Sequence, residues 1–205
     1  MPGAASPLEG VVNEVCDDGS VLDDAARWNA RYLDADAPMP RPPDALVERA
    51  DLASLLPTTG TALDVACGLG AQTLWLAERG LRVVALDVSP VAIAAIADAA
   101  AAAGLADRVA AAVVDLDAGL PTEPATVDVL VCQRFRQPAL YAEFLERLAP
   151  GGVGIVTVLC EVGADSPGTF HAPPGELAAA FDGPGIEVLH HDERDGQATI
   201  VFRRS

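Results

Sequence analysis

The chain of 205 residues carries 30 acidic against 13 basic side chains, a formal net charge of −17, and 51% of its residues are apolar. A surplus of negative charge on that scale repels polyanions and argues against nucleic acid as a partner. Every one of the 13 basic residues is arginine, which excludes lysine-dependent chemistry: Schiff bases, the phosphate-loop lysine and the Tyr-x-x-x-Lys pair of short-chain dehydrogenases.

No apolar run approaches the ~18 residues that span a bilayer, and neither a signal peptide nor a lipidation motif opens the sequence. These features predict a cytoplasmic protein with no membrane partner. The length suits a single domain that buries roughly 70% of its unfolded surface, without a separate substrate domain. Cys16, Cys67, Cys132 and Cys160 show no C-x-x-C pairing and read as reduced small hydrophobes rather than zinc ligands.

In chain order, residues 1–20 mix Gly, Pro, Ser and acidic side chains without period, the pattern of a mobile arm. Residues 21–60 form a helical entry segment, with helices around Leu22–Tyr32 and Pro43–Leu56 divided by "DAPMPRPP". From residue 61 to 205 a core follows, in which the Val-rich runs "ALDVAC", "RVVALDV", "RVAAAVV", "VDVLVCQ" and "VGIVTVLC" alternate with helices. Such runs suit strands covered on both faces. Ser89 caps and Pro90 starts one helix, which Gly104 stops; another places Leu140, Phe144, Leu145 and Leu148 on one stripe before Pro150-Gly151-Gly152. This βαβ alternation predicts an α/β fold, a doubly wound and mostly parallel sheet. The tail "GIEVLHHDERDGQATIVFRR" predicts an antiparallel hairpin turning at Asp195-Gly196 on the sheet's edge.

The chemistry concentrates where the first strand meets its helix, at Ala66-Cys67-Gly68-Leu69-Gly70. Ligands of open parallel sheets bind beyond the carboxyl ends of the strands, and small residues there admit a ligand close to backbone. A dinucleotide fingerprint needs a third glycine where Thr73 stands. Asp64, beside this turn, repels a pyrophosphate but attracts the sulfonium and α-ammonium of S-adenosylmethionine (SAM). Asp87 ends the second strand, where a carboxylate can accept both hydrogen bonds of a ribose diol; it can equally cap the turn into the Ser89 helix. Asp115, after the third strand, can meet the exocyclic amine of adenine, with the Leu116 backbone beside it.

Three acidic residues closing three successive strands, together with "ALDVACGLG", "VVALDVSPVAI", "AAVVDLDAGLP", "VDVLVCQRF" and "LERLAPGG", resemble the class I SAM-dependent methyltransferases over residues 61–204. Ala66 stands where many members have glycine. The segment "RWNARYLDADAPMPRP" is similar to the entry segment of the small tellurite-resistance and thiopurine-type methyltransferases. The resemblance implies a Rossmann-like methyltransferase fold, SAM as cofactor with S-adenosylhomocysteine as product, and methyl transfer to a small-molecule acceptor by a monomer or homodimer. It implies cofactor contacts at Asp64, Ala66, Gly68, Gly70, Asp87, Val88, Asp115, Leu116 and Gln133.

Trp28, Arg31 and Tyr32 share a helical face that can close over the cofactor, with Arg31 or Arg41 available to its carboxylate. Arg134 and His171 are candidates at the acceptor, although Arg134 and Arg136 equally suit surface ion pairs. His190 and His191, adjacent on a strand, face opposite ways and share no metal; no metal site is expected. The general base and the acceptor stay open, as do a non-catalytic SAM-binding module and a nicotinamide-dependent dehydrogenase.

Overall fold

A computed structural model describes residues 19–205. The arm expected over residues 1–20 lies outside the described residues except for Gly19 and Ser20, which already belong to the first helix, α1 (Gly19–Leu33). The single helix expected over residues 43–56 is instead two, α2 (Asp44–Glu48) and α3 (Ala50–Ala53), with Arg49 between them out of helical geometry at φ −123°, ψ 76°. Arg49 grips Asp51 through both Nε and Nη2, at 3.0 and 2.8 Å. Residues two apart do not share a face of a helix, so this fork matches a break.

The core runs β1 (Thr61–Val65), α4 (Ala71–Arg79), β2 (Arg82–Asp87), α5 (Pro90–Ala102), β3 (Val109–Val113), β4 (Val127–Gln133), α6 (Tyr141–Arg147), β5 (Leu148–Leu159), α7 (Glu176–Ala180), β6 (Ile186–Arg194) and β7 (Gln197–Arg204). The seven strands lie in the order β3-β2-β1-β4-β5-β7-β6. The first five pair in parallel, while β7 runs antiparallel between β5 and β6. Asp195 and Gly196 turn the hairpin with φ of 49° and 76°, the two left-handed residues of a turn that follows the strands' own twist.

Strand β5 starts five residues before the expected Val153. Leu148 pairs with Val127, and a bulge between Val127 and Val129 takes up Pro150-Gly151-Gly152.

Each face of the sheet has its own apolar layer. On one, Leu63, Leu130, Val156 and Phe202 pack with Phe144 and Phe181 from α6 and the end of α7. On the other, Ala62, Val131, Ile155 and Val201 meet Leu46, Leu52 and Leu76 from α2, α3 and α4. Cys67, Cys132 and Cys160 are free and buried, whereas Cys16 lies outside the described residues. Among the described residues no helix is long and apolar enough to cross a membrane.

Candidate functional site

Strand order reverses at β1, which has β2 on one side and β4 on the other. Beyond the carboxyl ends of these strands lies a cleft of about 340 Å³, at the switch point where open α/β sheets bind ligands. The turn from β1 into α4 forms its floor. Ala66, Gly68 and Gly70 all take positive φ, at 54°, 53° and 83°. A Cβ on Gly70 would come within 2.5 Å of Ile96 Cγ1, so only glycine fits there. Ala66 holds the left-handed conformation despite its Cβ, at a cost of about 1 kcal/mol.

Asp64 is 1% exposed. Its carboxylate accepts a 2.6 Å hydrogen bond from Thr73 Oγ1 and is also held by the Thr73 backbone. Thr73 occupies the place of the missing third glycine and is fully buried on the first turn of α4. Burial pushes the Asp64 carboxyl up to about 7, the Thr73 bonds oppose this, and the charge of Asp87 adds to it. Among the described residues no arginine pairs with Asp64.

Asp87 has one carboxylate oxygen on the Gly68 N–H at 2.8 Å and the other on the Ser89 N–H at 2.9 Å. It thus ties the glycine turn to the start of α5. Burial raises its pKa and these amides pull it back. Two carboxylate oxygens offer about four lone-pair sites, so Asp87 keeps capacity for a ligand. Ser89 Oγ caps α5 at Ala92 N (3.1 Å) and donates to Asn29 Oδ1 (2.6 Å), which fastens α1 beside the cleft. Asp115 accepts from Asp117 N at 2.9 Å and opens a short 3-10 turn, Leu116–Ala118.

Over this floor, Trp28 and Tyr32 stack with centroids 5.6 Å apart. Arg31 lies 5.5 Å from the Trp28 ring, and Arg27 sits between Trp28 and Phe170 at 5.6 and 5.8 Å. The Tyr32 hydroxyl stands above Gly68, 3.2 Å from where a Cβ would be. Burial, then the charge of Asp87, keep it protonated well above the usual tyrosine range. At the far wall Arg41 pairs with Asp44 at 2.5 Å, and Arg134 approaches the same carboxylate at 3.6 Å. Arg136, beside them in sequence, instead forms a two-bond pair with Glu176, which also accepts from Tyr141 Oη at 3.0 Å.

Of the residues singled out from sequence, Asp64, Ala66, Gly68, Asp87, Val88, Asp115, Leu116 and Gln133 line the cleft, as do Trp28, Arg31, Tyr32, Arg41 and Arg134. Gly70 does not reach it and acts through the turn. His171 is not brought there either: its Nδ1 accepts from Gly168 N at 3.0 Å within its own loop. Sequence reasoning missed Asp24, Asp44, Gln72, Asp117 and Phe135 in the lining. Asp44 was signalled only by following Pro42-Pro43, and Phe135 by its place just past β4. Among the described residues no three His, Cys, Asp or Glu side chains gather to hold a metal ion.

Residues 62–152 match a family model described as a methyltransferase domain. No curated protein sequence matches the chain. Among solved structures, geranyl diphosphate C-methyltransferase from Streptomyces coelicolor A3(2), in complex with Mg2+, geranyl diphosphate and S-adenosyl-L-homocysteine, superposes with a TM-score of 0.68 at 14% identity, covering 93% of this chain and 100% of that one. TehB from Haemophilus influenzae gives 0.65 at 20% identity over 80% of this chain, which spans 62% of TehB. The CcbJ methyltransferase from Streptomyces caelestis gives 0.62 at 16% identity, over 80% of this chain and 91% of that one. At these identities the likeness is one of fold.

Proposed function

We propose that this chain, a methyltransferase domain on the class I fold, binds SAM and transfers its methyl group to a small-molecule acceptor. The observation that carries the reading is Asp64. A carboxylate 1% exposed, held among the described residues by a neutral threonine, is costly to ionise. It suits a ligand that brings its own positive charge, and the α-ammonium of SAM is such a group. A pyrophosphate in the same place would face the carboxylate's repulsion.

When bound, SAM supplies a methyl group on a sulfonium, which passes in line to an acceptor lone pair while the S–C electron pair stays on sulfur, leaving S-adenosylhomocysteine. Charge is lost as the thioether leaves, so the protein has chiefly to align the partners and exclude water. Asp64 holds the ammonium, Asp87 the ribose diol through its free lone pairs, and Asp115 with the Leu116 backbone the adenine edge. Val88 and Gln133 wall the cleft between them. Arg31 serves the SAM carboxylate from α1 or Arg41 does so from the opposite side. Arg41's pair with Asp44 is exposed and therefore easily exchanged. Trp28 and Tyr32 cover the methionine end. An acceptor proton, where there is one, leaves to water.

The experiment is an acceptor screen with thiols, phenols, amines and metalloid oxyanions that reads S-adenosylhomocysteine release. Turnover with one class establishes the enzyme. Tight SAM binding with no turnover on any class makes the chain a SAM-binding module.

A further inference from the structure

We infer that the acceptor occupies a second cavity, and that this cavity selects a hydroxylated, positively charged molecule; the assignment of acceptor rests on the methyl-transfer reading above. A cleft of about 340 Å³ lies near the lower end of ligand pockets, ~300–1,000 Å³, and a ligand of SAM's size fills it. A second cavity, of about 350 Å³, adjoins it and shares two lining residues, Arg41 and Asp44. That ion pair is the partition between them.

One row of the sheet runs from the first space to the second. Register places Gln133 beside Thr157, Thr157 beside Thr199 and Thr199 beside Asp192, across β4, β5, β7 and β6. Paired residues of neighbouring strands share a face, and the Thr157 and Thr199 hydroxyls lie 3.0 Å apart. The next row down on the same face, Val131, Ile155 and Val201, is apolar and at most 1% exposed. The sheet thus changes from apolar core to a polar track along one row. It begins at Gln133 in the cofactor cleft and ends at Thr199 and Asp192 in the second cavity. Thr157, only 4% exposed, lines neither cavity itself and pairs its hydroxyl with that of Thr199, which does line the second.

Charge and hydrogen-bonding capacity define what fits. Asp44, Glu48, Asp192 and Asp195 set four carboxylates around the cavity against two guanidiniums of its own lining and Arg134, which reaches Asp44 from the cofactor cleft at 3.6 Å. Arg194 is held by Glu48 and Asp192, while Arg41 pairs with Asp44 through an exposed contact that it can exchange for the SAM carboxylate. The remaining field is negative and favours a cation. Gln197 and Thr199 add neutral donors and acceptors suited to hydroxyl groups. His190 faces this cavity, while His191 turns away to Glu193 at 3.4 Å.

The test uses the full chain loaded with S-adenosylhomocysteine and three matched probes, glucosamine, glucose and glucuronate, followed by ligand-observed NMR with shift mapping. Glucosamine is expected to bind at least about tenfold more tightly than glucuronate and to shift the signals of Thr199 and Gln197. Thr199→Trp, which fills the cavity, should abolish that binding and leave SAM affinity within about twofold. Should Thr199→Trp fail to fold, Asp195→Asn serves instead, since asparagine tolerates the φ of 49° there; it should weaken glucosamine several-fold. Absence of glucosamine binding, preference for glucuronate, or binding unchanged in both variants overturns the inference. SAM binding is measured on the same samples. Its loss in the wild type overturns the cofactor reading, whereas intact SAM binding without glucosamine contact overturns this inference alone.

Discussion

Thr73 Oγ1 donates a 2.6 Å hydrogen bond to Asp64 Oδ2, and both side chains are buried. The hydroxyl orients the carboxylate without neutralising it, leaving the charge to be met by a ligand. Asp64→Asn keeps the shape and removes the charge, and should weaken SAM by about 1–3 kcal/mol, the range for a charge-assisted bond. Thr73→Val, which removes only the orienting hydroxyl, should cost about 1 kcal/mol in SAM affinity. Calorimetry checks both; unchanged affinity in Asp64→Asn would make Asp64 structural.

The same carboxyl predicts a pH dependence of stability. The folded protein keeps the Asp64 proton up to about pH 7, whereas a free aspartate gives its proton up near 3.8. The contribution is therefore fully present below the unfolded pKa and is lost as pH rises through the folded one. The charge that acts on Asp64 is that of Asp87, also acidic, and the buried Cys67 and Cys132 thiols are pushed up by burial. SAM should release a proton on binding and bind more tightly as pH rises from about 6 to 7.5. Calorimetry in buffers of different ionisation enthalpy measures that proton, and Asp64→Asn should abolish it.

Ala66 sits at φ 54° in a conformation that glycine enters without penalty. Ala66→Gly should stabilise the fold by about 1 kcal/mol, a rise in Tm of roughly 2–4 °C for a chain of this size. Thermal melting reads it directly. A lower Tm would mean that the Ala66 methyl packs usefully against its neighbours.

The start of α5 was legible because its information is local: Ser89, Pro90 and Asp87 act within a few residues of one another. The glycine turn was legible for the same reason. Asp64's partner was harder to read, since Thr73 lies nine residues on and faces it only because α4 begins at Ala71. The break at Arg49 depends on a side-chain fork that competes with helix propensity. The second cavity could not be read at all, because it forms where α2 meets the β6-β7 hairpin. The Glu48–Arg194 pair there spans 146 positions. His171 failed as a site residue because its loop turns back on itself through Gly168.

Arg27 bridges Trp28 on α1 and Phe170 on the loop after β5, so the helix that lines the cleft is tied to that loop. SAM should protect residues 24–42 and 168–172 from hydrogen exchange together, on the timescale of local opening. Trp28→Ala should remove that protection in both segments and weaken SAM by about tenfold. Protection of one segment without the other would show that the helix and the loop move independently.

The central claim is that the cleft awaits a cationic adenosine ligand. Its most direct test is calorimetric titration of the wild-type chain with SAM and with NAD under one buffer. SAM should bind one per chain with S-adenosylhomocysteine competing for the same site, and NAD should give no signal; NAD binding in the absence of any SAM signal would contradict the account.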